Sequence, residues 1–243
     1  MHVGYHLWHS PRLNQEMALK VYGHAGKPVL VFPTQEGRFF EFEDYGMIEV
    51  CQAEIEAGRL RFYTVDSIDA QSWTHPHLPV PERTARYAQY EGYILEEVLP
   101  LIQQDYSGRI MTTGCSMVAF HAANFFFRHP EHFDALLAIS GVYRLNLFIG
   151  DYMDPQVYFH TPLAFLPELK DERLLGLLRD SQIIMSVGQG AWEDPMLDDT
   201  RRMKEILDQL QIPCWIDIWG HDVDHDWPWW RKKMSYFLMH LRL

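Results

Sequence analysis

The stretch that decides the reading is Arg109–Pro130, RIMTTGCSMVAFHAANFFFRHP. Its first residues are β-branched and apolar, as in a strand buried on both faces. They end at Gly114-Cys115-Ser116, and an almost wholly apolar run at helical spacing begins at Met117. A serine at such a corner has two readings. One is an ordinary helix N-cap. The other is a nucleophile elbow, a tight strand-to-helix turn that lifts the hydroxyl above the sheet edge. There the free N–H groups and positive end of the helix face a developing oxyanion. The elbow pattern G-x-S-x-G is met at Gly114 and Ser116 and broken at Val118. Valine adds bulk on the first helical turn without demanding positive φ, so the departure bears on oxyanion geometry more than on fold.

Outward from this corner the chain alternates. VGYHLWHS and EMALKVYG read as an antiparallel strand pair with SPRLNQ as the turn region. KPVLVFP is a strand, EDYGMIEVCQAEIEAG a helix ending at Gly58, LRFYTVD a strand, and TARYAQYEGYILEEVLPLIQQDY a long amphipathic helix. After the elbow come the strand DALLAISGVY, the helix DERLLGLLRD, the strand QIIMSVGQG, the helix PMLDDTRRMKEILDQL, the strand PCWIDIWG and a closing helix WPWWRKKMSYFLMHLRL. Strand and helix in turn from residue 28 onward predict an α/β fold, a mostly parallel sheet with helices on both faces. The expectation is one domain over 1–243, with a lid-like aromatic insertion at about 144–170. Ligands in such sheets sit beyond the carboxyl ends of the strands.

Composition narrows the function. A formal charge of −12 over 243 residues argues against non-specific nucleic-acid binding and against docking on anionic membranes. Forty-seven per cent hydrophobic residues, with 14 Phe, 12 Tyr and 8 Trp, fill a large core and are compatible with a homodimer. The three cysteines form no CxxC pair. The opening MHVGYHLWHSPRL lacks the pattern of a signal peptide, and no apolar run reaches the roughly 18–20 residues of a membrane span. A cytoplasmic location is the expectation.

Two further loops after strands carry chemistry. Gln189-Gly190-Ala191-Trp192-Glu193-Asp194-Pro195 places adjacent carboxylates before a helix, either to cap it or to orient a histidine. His221-Asp222-Val223-Asp224-His225-Asp226 follows the last strand, where a general base would sit. Serine, acid and histidine then occur in the chain order of the α/β-hydrolase triad. His121, one helical turn past Ser116, reads as a buried, hydrogen-bonded core histidine.

These three stretches resemble the esterase branch of the α/β hydrolases. That branch includes S-formylglutathione hydrolases of the esterase D type, feruloyl and related carbohydrate esterases, enterochelin esterases and mycolyl transferases. GCSMVAFHAANFFFRHP is similar to its elbow and following helix, GAWEDPML to its acid loop and DHDWPWW to its histidine loop. The resemblance implies a serine esterase acting on a small-molecule ester, with no metal or organic cofactor. Ser116 would be the nucleophile, His225 the base and Asp194 the orienting carboxylate, with Glu193 as its competitor. The oxyanion hole would use the backbone N–H groups of Met117 and Gln35. An acyltransferase on the same fold, a scaffold weakened at Val118, and a metal site in the His/Asp-rich loop are the alternatives.

Overall fold

The computed structural model describes residues 1–242, apart from the side chain of Val118. Its strands are β1 (Val3–Ser10), β2 (Gln15–Tyr22), β3 (Lys27–Val31), β4 (Leu60–Val65), β5 (Ile110–Cys115), β6 (Phe133–Ile139), β7 (Gln182–Val187) and β8 (Trp215–Ile218). They form one sheet in the order β1-β2-β4-β3-β5-β6-β7-β8. β1 pairs antiparallel with β2 and β2 antiparallel with β4; every other pairing is parallel. This is the mostly parallel α/β sheet with an antiparallel N-terminal pair that the sequence predicts, in the α/β-hydrolase arrangement.

The helices are α1 (Glu41–Asp44), α2 (Met47–Val50), α3 (Gln52–Glu56), α4 (Val80–Tyr93), α5 (Leu99–Gln103), α6 (Met117–Arg128), α7 (Asn146–Ile149), α8 (Pro155–Phe159), α9 (Pro162–Phe165), α10 (Glu172–Arg179), α11 (Asp194–Gln209) and α12 (Trp227–Leu238). Strand alternation divides the core between two layers. Leu30, Phe32 and Leu136 pack with Tyr90, Phe120 and Phe126 on one face. Val29, Val31 and Phe62 pack with Phe42, Ile48, Trp230 and Phe237 on the other.

Two expected helices differ. The one expected before Gly58 is three short pieces, because Gly46 takes a left-handed conformation at φ 73° and turns the chain between α1 and α2. Gly58 ends the last piece, also at positive φ. The long helix from residue 80 passes through a π-helical segment, Ile94–Val98, before α5. Pro100 explains it, having no N–H to close the regular ladder onto the preceding turn. Residues 144–170 fold into α7, α8, α9 and a 3-10 turn, and α9 lies against α6 and α11.

Candidate active site

β5 delivers Ser116 to the carboxyl edge of the sheet. Its backbone N–H donates to Ile139 O on β6 at 2.9 Å, and its own carbonyl accepts from Ala119 N, so the turn is held from both sides. The price is a serine at φ 67°, ψ −140°, a region that side chains other than glycine rarely occupy. No side-chain cap bond is made to α6, so the hydroxyl does not serve as an N-cap. Ser116 Oγ lies 2.7 Å from His225 Nε2. The side chain of Val118, the position where the elbow glycine is replaced, lies outside the described residues.

The carboxylate that reaches the histidine corrects the expectation. Glu193 Oε2 lies 3.2 Å from His225 Nδ1, whereas Asp194 is the exposed first residue of α11. The loop geometry explains the choice. Gly190 N donates to Val223 O, His225 N to Ala191 O, and Ala191 N to Asp224 Oδ1, which zip the acid loop to the histidine loop. A Cβ on Gly190 would sit 2.3 Å from Asp224 Oδ1, so only glycine permits this approach. Trp192 then turns at φ 66° and is 83% exposed, and the next side chain points inward. Asp224 and Asp226 are absorbed by this local structure, Asp226 as the cap of α12.

Glu193 is fully buried, and the His225 side chain is 12% exposed. The other glutamate oxygen, Oε1, accepts from Ser140 Oγ at 2.6 Å and from Gly188 N at 3.2 Å. Lys233 Nζ lies 3.7 Å away. Burial alone would raise this carboxyl, but the bonds from His225 and Ser140 and the charge of Lys233 outweigh it and hold it below its ordinary range. A carboxylate on Nδ1 fixes the imidazole tautomer with its proton there, leaving Nε2 to accept from Ser116. The Trp230 ring stands edge-on to the imidazole, centroids 4.9 Å apart.

Across from the elbow lies the loop after β3. Thr34 presents both its N–H and its hydroxyl to the Glu41 carboxylate, and Glu36 N donates to Asp69 Oδ2 at 3.4 Å. Two carboxylates thus clasp the loop on either side of Gln35. A Cβ on Gly37 would approach the Glu41 carboxylate at 2.5 Å, so a side chain there would push that carboxylate off Thr34. Burial raises the Glu41 carboxyl despite the Thr34 bonds. Among the described residues, the N–H groups of Met117 and Gln35 have no acceptor. The sequence reading missed Glu41, Asp69, Ser140 and Lys233. Lys233 alone left a usable signal, since it falls at helical spacing with Trp230 and Phe237, on their buried face.

Comparison with known proteins agrees with this architecture. Residues 10–241 match the model of the Esterase family, described as "Putative esterase". No curated protein matches the chain. Among solved structures, a ferulic acid esterase superposes with a TM-score of 0.76 at 17% identity, covering 97% of this chain and 95% of the other. An S-formylglutathione hydrolase from Staphylococcus aureus gives 0.72 at 17% identity, covering 98% and 96%. The fluorophosphonate-binding serine hydrolase F of the same organism, in its substrate-bound form, gives 0.75 at 17% identity, covering 98% and 97%. The family match spans nearly the whole chain and the fold is that of these α/β hydrolases; the chain belongs to the esterase family and is a carboxylic ester hydrolase.

Proposed function

We propose that the chain is a serine esterase that works through an acyl-enzyme, with Ser116 as nucleophile, His225 as general base and acid, and Glu193 as the orienting carboxylate. The observation that carries this reading is the continuous contact Ser116 Oγ–His225 Nε2–Glu193 Oε2, at 2.7 and 3.2 Å, built from loops that follow three different strands. Ser116 attacks the ester carbonyl carbon as its proton passes to Nε2. The carbonyl oxygen, now an oxyanion, is met by the N–H groups of Met117 and Gln35. Loss of one such donor typically costs roughly 3–4 kcal/mol of barrier. The C–O bond to the alcohol breaks and the alcohol leaves with the proton from His225. Water, deprotonated in turn by His225, attacks the acyl carbon, and the carboxylic acid departs as Ser116 regains its proton. Residues 144–170 form a lid-like insertion within a single domain in this reading. Leu147, Tyr152, Met153 and Phe159 of that segment are exposed.

The test is ester hydrolysis by wild type and Ser116→Ala, together with labelling by a fluorophosphonate. Ser116→Ala folds, loses hydrolysis and takes no label; wild-type activity in that variant sinks the reading. With glycerol or a sugar added as acceptor, a transferred acyl product in place of free acid would instead identify an acyltransferase.

A further inference from the structure

Behind Glu193, on the side away from His225, a lysine is buried in the core. Lys233 of α12 is fully buried, with Nζ donating to Ser140 Oγ at 3.3 Å and lying 3.7 Å from Glu193 Oε1. The Trp219 ring lies 5.7 Å from Nζ. Taking an ammonium out of water costs several kcal/mol unless a partner offsets it. The packing of α12 does not ask for a charge at 233, since its neighbours on that face are Trp230, Met234 and Phe237. The carboxylate in front of it does. A glutamate has one more rotatable bond than an aspartate, so placing Oε2 on a histidine requires that Oε1 be fixed.

We propose that Lys233 is a positioning residue for this reaction, holding Glu193 ionised and anchoring Oε1 so that Oε2 stays on His225 Nδ1. The inference rests on the Ser116–His225–Glu193 reading. Glu193 is faced by His225 from the last loop, Ser140 from the end of β6, Gly188 N–H from the end of β7 and Lys233 from α12. Lys233 is faced by Glu193 and Ser140, with Cys115 of β5 and Asp217 of β8 as the remaining ionisable groups that its charge feels. Burial lowers the lysine to about 8, against the upward pull of Glu193, so it remains a cation at neutral pH. Ser140 sits at φ 53°, its N–H bound to Ser186 O at 2.6 Å, a strained backbone that aims its hydroxyl into the pair.

Two measurements test this. The first is the pH profile of kcat/KM for p-nitrophenyl acetate in wild type and Lys233→Met. Without the cation the buried carboxyl takes up a proton at higher pH, so the acid limb moves upward by about one unit or more. A lysine that only fills space would lower the rate at every pH and leave the limb in place, and that result overturns the proposal. The second does not depend on Lys233→Met folding: the Nζ titration of Lys233 is followed by NMR of lysine-labelled protein in wild type and Glu193→Gln. Coupling between two sites is reciprocal, so loss of Glu193 lowers the lysine midpoint by a comparable amount. An unchanged midpoint overturns the proposal. Hydrolysis that persists in Ser116→Ala would sink the triad reading instead, while Ser116-dependent hydrolysis with an unmoved limb would sink only the role of Lys233.

Discussion

Asp69 and His121 face each other across the core at 2.9 Å, Oδ1 to Nε2, and both are buried. The contact joins α6 to the loop after β3, because the other Asp69 oxygen receives Glu36 N–H. Tyr87 closes the far side, its hydroxyl 2.7 Å from His121 Nδ1. The elbow and the loop that carries Gln35 are thereby referenced to one carboxylate. Asp69→Asn keeps the volume but offers an amide where one of its two donors now points. The expected result is a fall in kcat of roughly ten- to a hundred-fold with KM little changed, less than the 10²–10³ of a deleted oxyanion donor. Steady-state kinetics on a soluble ester checks it; a raised KM with unchanged kcat would show that the clasp serves binding instead.

The adjacent carboxylates separate cleanly by mutation. Glu193→Gln leaves the shape of the site but lets an amide N–H face Nδ1, which favours the wrong imidazole tautomer, so kcat falls on the order of 10³–10⁴-fold. Asp194→Asn, at the exposed start of α11, leaves kcat within about two-fold. Equal losses in the two variants would contradict the geometry.

That pair also shows where the sequence could be read and where it could not. Ser116 directly follows β5 and His225 lies in the loop after β8, so the sequence alone places both at one rim, because a parallel sheet sends its strand ends to the same side. Strand positions were legible for the same reason, since β-branched apolar runs between turn residues have few other uses. The choice between Glu193 and Asp194 is not local. It depends on hydrogen bonds between residues 189–191 and 220–225 and on the positive φ of Trp192, none of which leaves a pattern in the residues themselves. Lys233 sits beside Lys232 and reads as part of a solvated face until its spacing from Trp230 and Phe237 is counted. Gly46, inside an otherwise helical spacing, was a stop signal that the hydrophobic period concealed.

The strained serine makes a stability prediction. Ser116→Gly removes the side chain that makes φ 67° costly, whereas Ser116→Ala keeps a Cβ and the strain. Both variants lose hydrolysis. In urea unfolding the glycine variant is expected to be the more stable of the two by about 1 kcal/mol, part of the 1–3 kcal/mol stored at such positions. Its entropy gain in the unfolded chain works the other way, which keeps the difference at the low end. An alanine variant more stable than the glycine one would show that the elbow is not strained.

Gly190→Ala tests the zipper between the acid and histidine loops. The added methyl would meet Asp224 Oδ1 at 2.3 Å and Val223 backbone at 2.8 Å, so the loops must part. Overpacking of this kind costs about 1–3 kcal/mol. Parting also lengthens the Glu193–His225 contact, and a displacement near 1 Å costs on the order of 10²-fold in rate. Thermal unfolding and kcat should fall together; a stable variant with full activity would mean that the two loops are not coupled.

A buried histidine, His160, makes the fold acid-sensitive. His160 packs against Tyr87 and Trp73 and accepts from Arg128 Nη1 at 2.5 Å. Burial, with the Arg128 charge beside it, lowers it to about 3 from an ordinary 6.5. The unfolded chain therefore binds a proton below pH 6.5 that the native protein refuses. The stability this histidine confers is complete above that pH and is lost as pH falls from 6.5 toward 3, at up to about 1.4 kcal/mol per unit. Glu91, held low mainly against burial by His129 and Arg128, adds a loss of the same sign, but only below the ordinary glutamate range. His132, lowered by burial, contributes with the same sign in the upper window, so the comparison must be with a variant. Urea unfolding at pH 7.5, 6.0 and 5.0 should show a clearly shallower loss in His160→Gln than in wild type. Parallel slopes would mean that His160 accepts its proton in the folded state and that the Arg128 contact does not keep it neutral.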